Sequence, residues 1–219
     1  MPSRLRPVAS VATEAILVGD PGRSLLLAQA LLEQPKMSNH ARGLWGYHGR
    51  TAAGRELTVQ ATGMGGPSAA LVLADLAELG VRRAVRVGSA TSLRPQLALG
   101  DLIAVEEAHA WGGGGAGAAV LPDPELAAAL RGRLGAEARP GSVASLDTLH
   151  RDLPDNAAAE LAADLADMQT AALLARGKQL GLAIAAVLIV TETSAGELLG
   201  DAEIEAAAKL AGSAAAAVL

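Results

Sequence analysis

Four short segments combine glycine turns with side chains that can bind an anion or transfer a proton. Residues 19–23 read Gly-Asp-Pro-Gly-Arg, and residues 63–68 read Gly-Met-Gly-Gly-Pro-Ser. Residues 86–89 read Arg-Val-Gly-Ser, and residues 191–193 read Thr-Glu-Thr. Glycine lets a backbone approach a ligand closely, a helix N-terminus favours an anion, and arginine offers a fork of donors. The set points to anion binding beside a carboxylate.

Each segment also has an ordinary structural explanation when it is taken alone. A Gly-Asp-Pro turn is usually only a turn, and Glu192 can be a solvated loop carboxylate. Arg86 stands in an otherwise apolar strand. Because a buried arginine is rare unless it is paired, Arg86 should meet either a carboxylate or an anionic ligand. The joint placement of all four segments at strand ends is what favours a functional site.

The elements that would position these segments alternate between β-like and helical patterns. Strands are predicted at residues 14–18, 56–62, 83–87, 101–106, 141–146 and 183–191. Helices are predicted at residues 24–34, 68–79 (with Ser68 as N-cap), 124–134, 167–180 and 201–218. This alternation predicts a mostly parallel sheet covered on both faces. The glycine-rich stretch at residues 112–117 is predicted to be a flexible loop.

The composition excludes several classes of function. The 219 residues carry a formal charge of −5 and contain no Cys, no Phe, two Trp and one Tyr. This argues against a basic nucleic-acid surface, a base-stacking platform for single strands and thiolate metal sites. The longest apolar run, residues 182–190, is far shorter than the ~20 residues of a membrane span. We expect a cytoplasmic protein without a signal peptide.

Other familiar motifs fail when they are tested against this sequence. Residues 63–68 match the dinucleotide pattern only in its first two glycines, and the next strand ends without an acidic residue, which argues against an oxidoreductase. No Walker lysine or serine nucleophile elbow is found. The four histidines lack metal-ligand spacing, so no metal is expected; they are His40, His48, His109 and His150.

Taken together, several segments resemble the hexameric-type nucleoside phosphorylases, which include bacterial purine nucleoside phosphorylase and uridine phosphorylase. The segments that carry the resemblance are residues 16–23, 39–47, 62–68, 86–89 and 167–172. The similarity runs from about Glu14 to the C-terminus and is closest to purine nucleoside phosphorylase over the first 95 residues. It implies a nucleoside phosphorylase-like fold: one domain over residues 1–219, with three α/β/α layers around a mixed, mostly parallel sheet.

The resemblance also implies a reaction and an anion site. The family reaction is phosphorolysis, in which a nucleoside and phosphate give a free base and a pentose 1-phosphate. Inorganic phosphate would be the co-substrate, and no other cofactor is expected. Phosphate would be held by Gly19, Arg23, Arg42, Arg86 and Ser89. In the family, the residue that matches Arg42 reaches the anion site from a neighbouring subunit. A homo-oligomer is therefore expected, most simply a hexamer built as a trimer of dimers.

The nucleoside half of the pattern is present with substitutions. Met64 and Met168 would line the sugar, and Asp167 and Gln169 replace the two glutamates of the family's Glu-Met-Glu motif. Leu149 stands where relatives place an aromatic residue against the base. Glu192 takes the place of the acid that protonates the base, and Arg86 is its expected catalytic partner on the phosphate side. No arginine follows Arg176, although some relatives use one near this acid.

Three hypotheses follow from this pattern. The first is phosphorolysis of a nucleoside, most simply a purine nucleoside. The second is a catalytically weakened paralogue that keeps only the anion site. The third is a nucleosidase of the same fold, which the presence of both Arg23 and Arg86 argues against.

Overall fold

The computed structural model describes residues 4–112, 115–153 and 161–219. Its strands are β1 (Glu14–Val18), β2 (Leu32–Asn39), β3 (Gly46–Thr51), β4 (Glu56–Ala61), β5 (Arg83–Ser92), β6 (Leu102–Gly112), β7 (Gly115–Val120), β8 (Ala138–Leu146), β9 (Leu165–Asp167) and β10 (Ala183–Thr193). Its α-helices are α1 (Pro21–Leu31), α2 (Gly65–Glu78), α3 (Pro124–Leu134), α4 (Thr170–Leu180) and α5 (Asp201–Val218). Short 3-10 turns lie at Ala41–Gly43, Gly135–Glu137 and His150–Asp152.

A parallel group of four strands carries the segments singled out in the sequence. Strand β1 pairs with β4 on one side and with β5 on the other, and β5 pairs with β10. All three pairings are parallel, so the carboxyl ends of the four strands meet at one edge. Residues that follow these strands are therefore brought together although they are far apart in the chain.

The rest of the sheet is mixed, and part of it closes on itself. Strands β2 and β3 extend the sheet beyond β4 through antiparallel pairs. On the other side, β10 pairs with β6, β6 with β8, β8 with β9, and β9 returns to β5. This closed ring places β9, which immediately precedes α4, against the end of β5. The ring therefore brings Asp167 next to the strand that carries Arg86.

Helices cover both faces of the sheet, as predicted. One face packs on α2 and α4, with Leu73, Leu76 and Leu174 in the core. The other face packs on α1, α3 and α5, with Leu27 and Leu130 among its buried side chains. Strands β1 and β10 are almost continuously apolar, as expected for strands that are buried on both faces of the sheet. The predicted α/β fold with a central mixed sheet between helical layers is confirmed.

Several predicted element boundaries are wrong. Helix α1 begins at Pro21 rather than at residue 24 and ends at Leu31, and the chain then enters β2. The predicted helix at 167–180 divides into the end of β9 and helix α4. Ser68 is not an N-cap, because α2 already begins at Gly65. The predicted loop is also wrong where it is described: Gly112 ends β6 and residues 115–117 begin β7, while residues 113–114 lie outside the described ranges.

None of the helices in the described ranges is both long enough and apolar enough to cross a bilayer.

Candidate active site

The turn from β1 into α1 presents the first predicted anion-binding residues. Asp20 caps the helix, since its side chain accepts a hydrogen bond from the backbone N–H of Arg23 at 2.8 Å. Pro21 follows at the first helical position, where its missing N–H costs nothing. This cap turns the half-buried Arg23 toward the cavity described below, which it lines together with Gly19.

The charge of Arg23 is not balanced by a close partner. Its guanidinium makes no hydrogen bond or close ion pair with any residue in the described part of the chain. Burial lowers the pKa of Arg23, and the neighbouring Arg86 cation lowers it further, while Asp20 raises it. Two guanidiniums therefore repel each other across this turn, and an anion between them would relieve that repulsion.

Arg86 lies on β5 and is almost completely buried, at 4% exposure. Its guanidinium folds over Gly88, two residues along on the same face of the strand. A Cβ added at Gly88 would lie 2.7 Å from the guanidinium carbon of Arg86. Gly88 is therefore required for this arginine position, and the Arg-x-Gly spacing is the sequence signal of that requirement.

A buried network holds Arg86 in place. Its Nη2 lies 3.0 Å from Oδ2 of Asp167, its Nη1 donates to Oε1 of Gln169 at 2.8 Å, and its Nε donates to the Thr170 hydroxyl at 3.0 Å. Asp167 is itself fixed by the Ser145 hydroxyl and by the backbone N–H of Thr170. Arg86 thus meets the carboxylate that its burial requires, while also lining the cavity.

The turn from β4 into α2 forms another wall. Gly63 has a φ of +74°, and a Cβ there would lie 2.7 Å from the Ser68 hydroxyl, so glycine is needed on both counts. Ser68 fixes the turn by donating to the carbonyl of Thr62 at 2.6 Å. The following Met64 is 81% exposed at the edge of the cavity.

Glu192 lies at the end of β10, away from the Arg86 network. One carboxylate oxygen accepts a hydrogen bond from the Thr91 hydroxyl at 3.4 Å, and the other lies 3.7 Å from Nη1 of Arg151. The Glu192 side chain is 23% exposed. Leu149 and His150, which precede Arg151, also line the cavity. This end of the cavity therefore combines an apolar side chain with hydrogen-bonding groups.

Residues from all of these segments line one cavity of about 440 Å³, a size typical of small-molecule sites. The predicted site residues that line it are Gly19, Arg23, Met64, Arg86, Ser89, Leu149, Asp167, Met168, Gln169 and Glu192. Their side chains are not equally available, because that of Asp167 is completely buried, at 0% exposure. Asp167 therefore acts on the cavity through Arg86.

Arg42 is the predicted site residue that does not line the cavity. It is exposed in the Ala41–Gly43 turn and has a φ of +60°, which is uncommon for a residue with a side chain. The buried Asn39 supports this turn by donating to the carbonyl of Leu44. The fold therefore holds Arg42 at an uncommon backbone angle, outside the lining of the cavity of its own chain.

Sequence reasoning missed several residues of the cavity. Arg151 lies beside Glu192 but does not line the cavity, and it was not predicted because its partner is 41 positions later in the chain. Thr91, Thr148 and His150 were missed because threonine and histidine carry no distinctive spacing. Gly88 could have been found from its distance of two residues from Arg86.

Comparisons with known proteins show the family of the chain. The model of the family described as "Phosphorylase superfamily" matches residues 13–219. The chain belongs to the phosphorylase superfamily. The resemblance inferred from the strand-end motifs is thereby confirmed, and the superfamily match extends through the second half of the chain, where the motifs are weaker.

Curated relatives in the superfamily are bacterial purine nucleoside phosphorylases of the DeoD type. The Caldanaerobacter subterraneus protein is 28% identical over 84% of this chain and 84% of its own length. The Thermoanaerobacter pseudethanolicus protein is 30% identical over 67% of this chain and 66% of its own length. The Clostridium perfringens protein is 36% identical, but the match spans only 42% of that protein and 45% of this chain.

A solved structure supports the fold of this superfamily member. Purine nucleoside phosphorylase from Toxoplasma gondii, in complex with immucillin-H, superimposes with a TM-score of 0.83. The superposition covers 95% of this chain and 92% of that chain, at 22% sequence identity. At this identity the similarity describes the fold, which agrees with the layers and sheet reported above.

Proposed function

We propose that the protein catalyses phosphorolysis of a nucleoside, with a purine nucleoside as the preferred class. The observation that carries the proposal is the pair Arg23 and Arg86 at one end of a cavity whose other end holds Glu192. Arg23 lacks a close counter-ion within the described residues, and burial together with the neighbouring Arg86 cation lowers its pKa. A phosphate dianion between the two arginines would supply the missing negative charge. The purine preference rests on the named relatives.

The geometry suggests that the two ends of the cavity would bind different groups. Phosphate would bind beside Gly19, Arg23, Arg86 and Ser89, with the sugar between Met64 and Met168. A phosphate oxygen would form a bond to the anomeric carbon as the glycosidic C–N bond breaks, and the bond's electron pair would move to the base. The carboxyl group of Glu192 would donate a proton to the leaving base. No organic cofactor enters this scheme.

We further propose that the functional unit is a homo-oligomer, most simply a hexamer. Arg42 cannot complete the anion site of its own chain, because it is exposed and lies outside the cavity lining. Strained, exposed positions persist where the surrounding structure or a function maintains them. A neighbouring subunit that receives Arg42 is such a function. An enzyme that consumes nucleosides and inorganic phosphate would act in the cytoplasm.

The test is release of free base from a panel of purine and pyrimidine nucleosides, with and without inorganic phosphate. Phosphorolysis predicts phosphate-dependent release together with stoichiometric pentose 1-phosphate. Release that does not depend on phosphate would instead identify a nucleosidase. Phosphate binding in calorimetry without any release would identify the weakened paralogue. Sedimentation at micromolar concentration tests the oligomer, and a monomer there would overturn it.

A further inference from the structure

Gln169 is buried beside Arg86, where both its amide oxygen and its amide nitrogen are hydrogen-bonded to the protein. Its exposure is 3%. The amide oxygen accepts from Nη1 of Arg86 at 2.8 Å and lies 3.0 Å from the Thr62 hydroxyl. The amide nitrogen donates to the carbonyl of Gly63 and, at 3.4 Å, to that of Gly65. Both hydrogens of the amide are therefore used within the protein, and its oxygen is paired with Arg86, while the single hydrogen of the Thr62 hydroxyl is shared with the carbonyl of Val18 at 2.9 Å.

The orientation of this amide follows from its neighbours. The groups facing the oxygen are a guanidinium and a hydroxyl, which can donate hydrogen bonds. The groups facing the nitrogen are two backbone carbonyls, which can only accept. The reversed orientation would place nitrogen against nitrogen and oxygen against oxygen, so the assignment is determined by the network.

Gln169 therefore joins three parts of the sheet that surround the proposed anion site. It contacts Arg86 on β5 and the Gly63 turn after β4. It also lies beside Gly19 after β1, since a Cβ added there would approach its amide oxygen to 3.7 Å. We propose that Gln169 is a positioning residue of the anion site, which holds the Arg86 guanidinium against the Gly63 turn, and that it is not a ligand of the sugar.

The amide is the chemical group suited to this position. A glutamate carboxylate could still pair with Arg86, but its other oxygen would face the carbonyls of Gly63 and Gly65 without a hydrogen to donate. It would also place a second negative charge on Arg86, which already pairs with Asp167. The neutral amide holds Arg86 by its oxygen and leaves more positive charge for an incoming anion. Two of the five guanidinium N–H groups of Arg86 remain after the contacts to Asp167, Gln169 and Thr170.

The test measures inorganic phosphate binding to the full chain by calorimetry, separately from nucleoside binding. Gln169→Glu should weaken phosphate binding about tenfold, the usual order for disturbing a charge-assisted hydrogen bond, and should not tighten nucleoside binding. A sugar ligand predicts the reverse, because a carboxylate accepts more strongly from sugar hydroxyls. Unchanged phosphate affinity with tighter nucleoside binding would overturn the proposal.

Gln60→Glu is the matched control. Gln60 is also buried, and its amide nitrogen also donates to two backbone carbonyls, those of Leu44 and Ala61. It lies outside the cavity lining, so its substitution should leave phosphate affinity unchanged. Loss of phosphate affinity in both variants would mean a general structural effect and would overturn a specific role for Gln169.

A second variant keeps the test decisive if Gln169→Glu does not fold. Gln169→Met keeps the length and the net charge but removes every hydrogen bond of the amide. It should weaken phosphate binding less than the glutamate variant does, and unchanged phosphate affinity would overturn the proposal.

The proposal rests on the proposed function for the identity of the anion. Wild-type protein that does not bind phosphate would overturn both, whereas phosphate binding without turnover would overturn only the proposed function.

Discussion

The two ends of the cavity are built in different ways. At the anion end, Arg86 is 4% exposed and is held by three side chains from another part of the chain. At the other end, Glu192 is 23% exposed and contacts Arg151, whose side chain is 63% exposed, at 3.7 Å. A buried, hydrogen-bonded network keeps one geometry, while an exposed ion pair contributes little to stability and moves easily. The anion end is therefore rigid and preformed, and the end that holds Glu192 is adaptable.

The contrast has a consequence for specificity. In the proposed reaction, the anion end would hold phosphate, a small group that is the same for every nucleoside. The other end has Leu149 rather than an aromatic ring, with Thr148, His150 and Thr191 nearby. This end of the cavity would recognise a base mainly through hydrogen bonds to the edge of the base. Stacking on an aromatic side chain, which is worth about 0.5–1.5 kcal/mol where one is present, would contribute less.

The largest effect is expected for Arg86→Ala at the anion end. The substitution leaves the completely buried Asp167 carboxylate without its cation, which typically costs about 3–5 kcal/mol of unfolding free energy. Urea denaturation should show this loss, and phosphate-dependent activity should disappear. Arg50→Ala is the control, since it removes an exposed ion pair with Glu56 and should cost under about 1 kcal/mol. Equal costs in the two variants would contradict a rigid anion end.

A smaller effect on stability but a large one on rate is expected for Glu192→Gln. Loss of the acid should lower kcat about 100-fold, as is common for a general acid, with nucleoside affinity nearly unchanged. Steady-state kinetics and direct nucleoside binding measure the two quantities separately. Glu197→Gln changes an exposed carboxylate outside the cavity lining and should keep wild-type kcat. Wild-type turnover in Glu192→Gln would remove this residue from the mechanism.

Arg23→Ala should act on phosphate binding without a stability cost. Arg23 has no close ion-pair partner among the described residues and is repelled by Arg86, so its removal leaves no buried charge unpaired. Phosphate affinity should fall about tenfold, as expected for one charge-assisted hydrogen bond. Calorimetry and thermal unfolding check the two parts. Arg139→Ala serves as the control, because it removes an exposed ion pair with Asp101. A marked loss of stability in Arg23→Ala but not in this control would show that Arg23 has a structural role.

The smallest effect is expected for Arg151→Ala. An exposed ion pair is worth up to about 1 kcal/mol, so kcat should fall no more than about fivefold. Because Arg151 acts through Glu192, the same substitution in the Glu192→Gln background should change kcat little further. Arg151→Lys should restore most of the rate. An equal loss in both backgrounds would mean that Arg151 does not act through Glu192.

Local signals explain much of what could be predicted. Asp123 followed by Pro124 is an N-cap signal, and the predicted helix there matches α3. The same Asp-Pro signal at Asp20 and Pro21 marks the start of α1, but the helix was predicted to begin later. Strands β2 and β3 were missed because they carry charged residues on an exposed hairpin and show no apolar run.

The candidate site was predicted only in part, because the sequence pattern indicates the order of some strands but not of others. Residues beside a strand end, such as Gly19, Arg23 and Glu192, are brought together by the parallel order of β1, β5 and β10. Alternating strands and helices indicate that order. The ring closure through β9 is not indicated by alternation, because β9 has only three residues and pairs antiparallel with β5.

The sequence by itself determined which residue types the strands and their turns carry: two arginines and a serine suited to an anion, and a carboxylate near the end of the most apolar strand. Only the tertiary structure decided their partners. Asp167 lies 81 positions from Arg86 and Gln169 lies 83 positions from it. The physical reason is that short-range spacing governs turns and caps, whereas the pairing of a buried charge depends on which strands lie side by side.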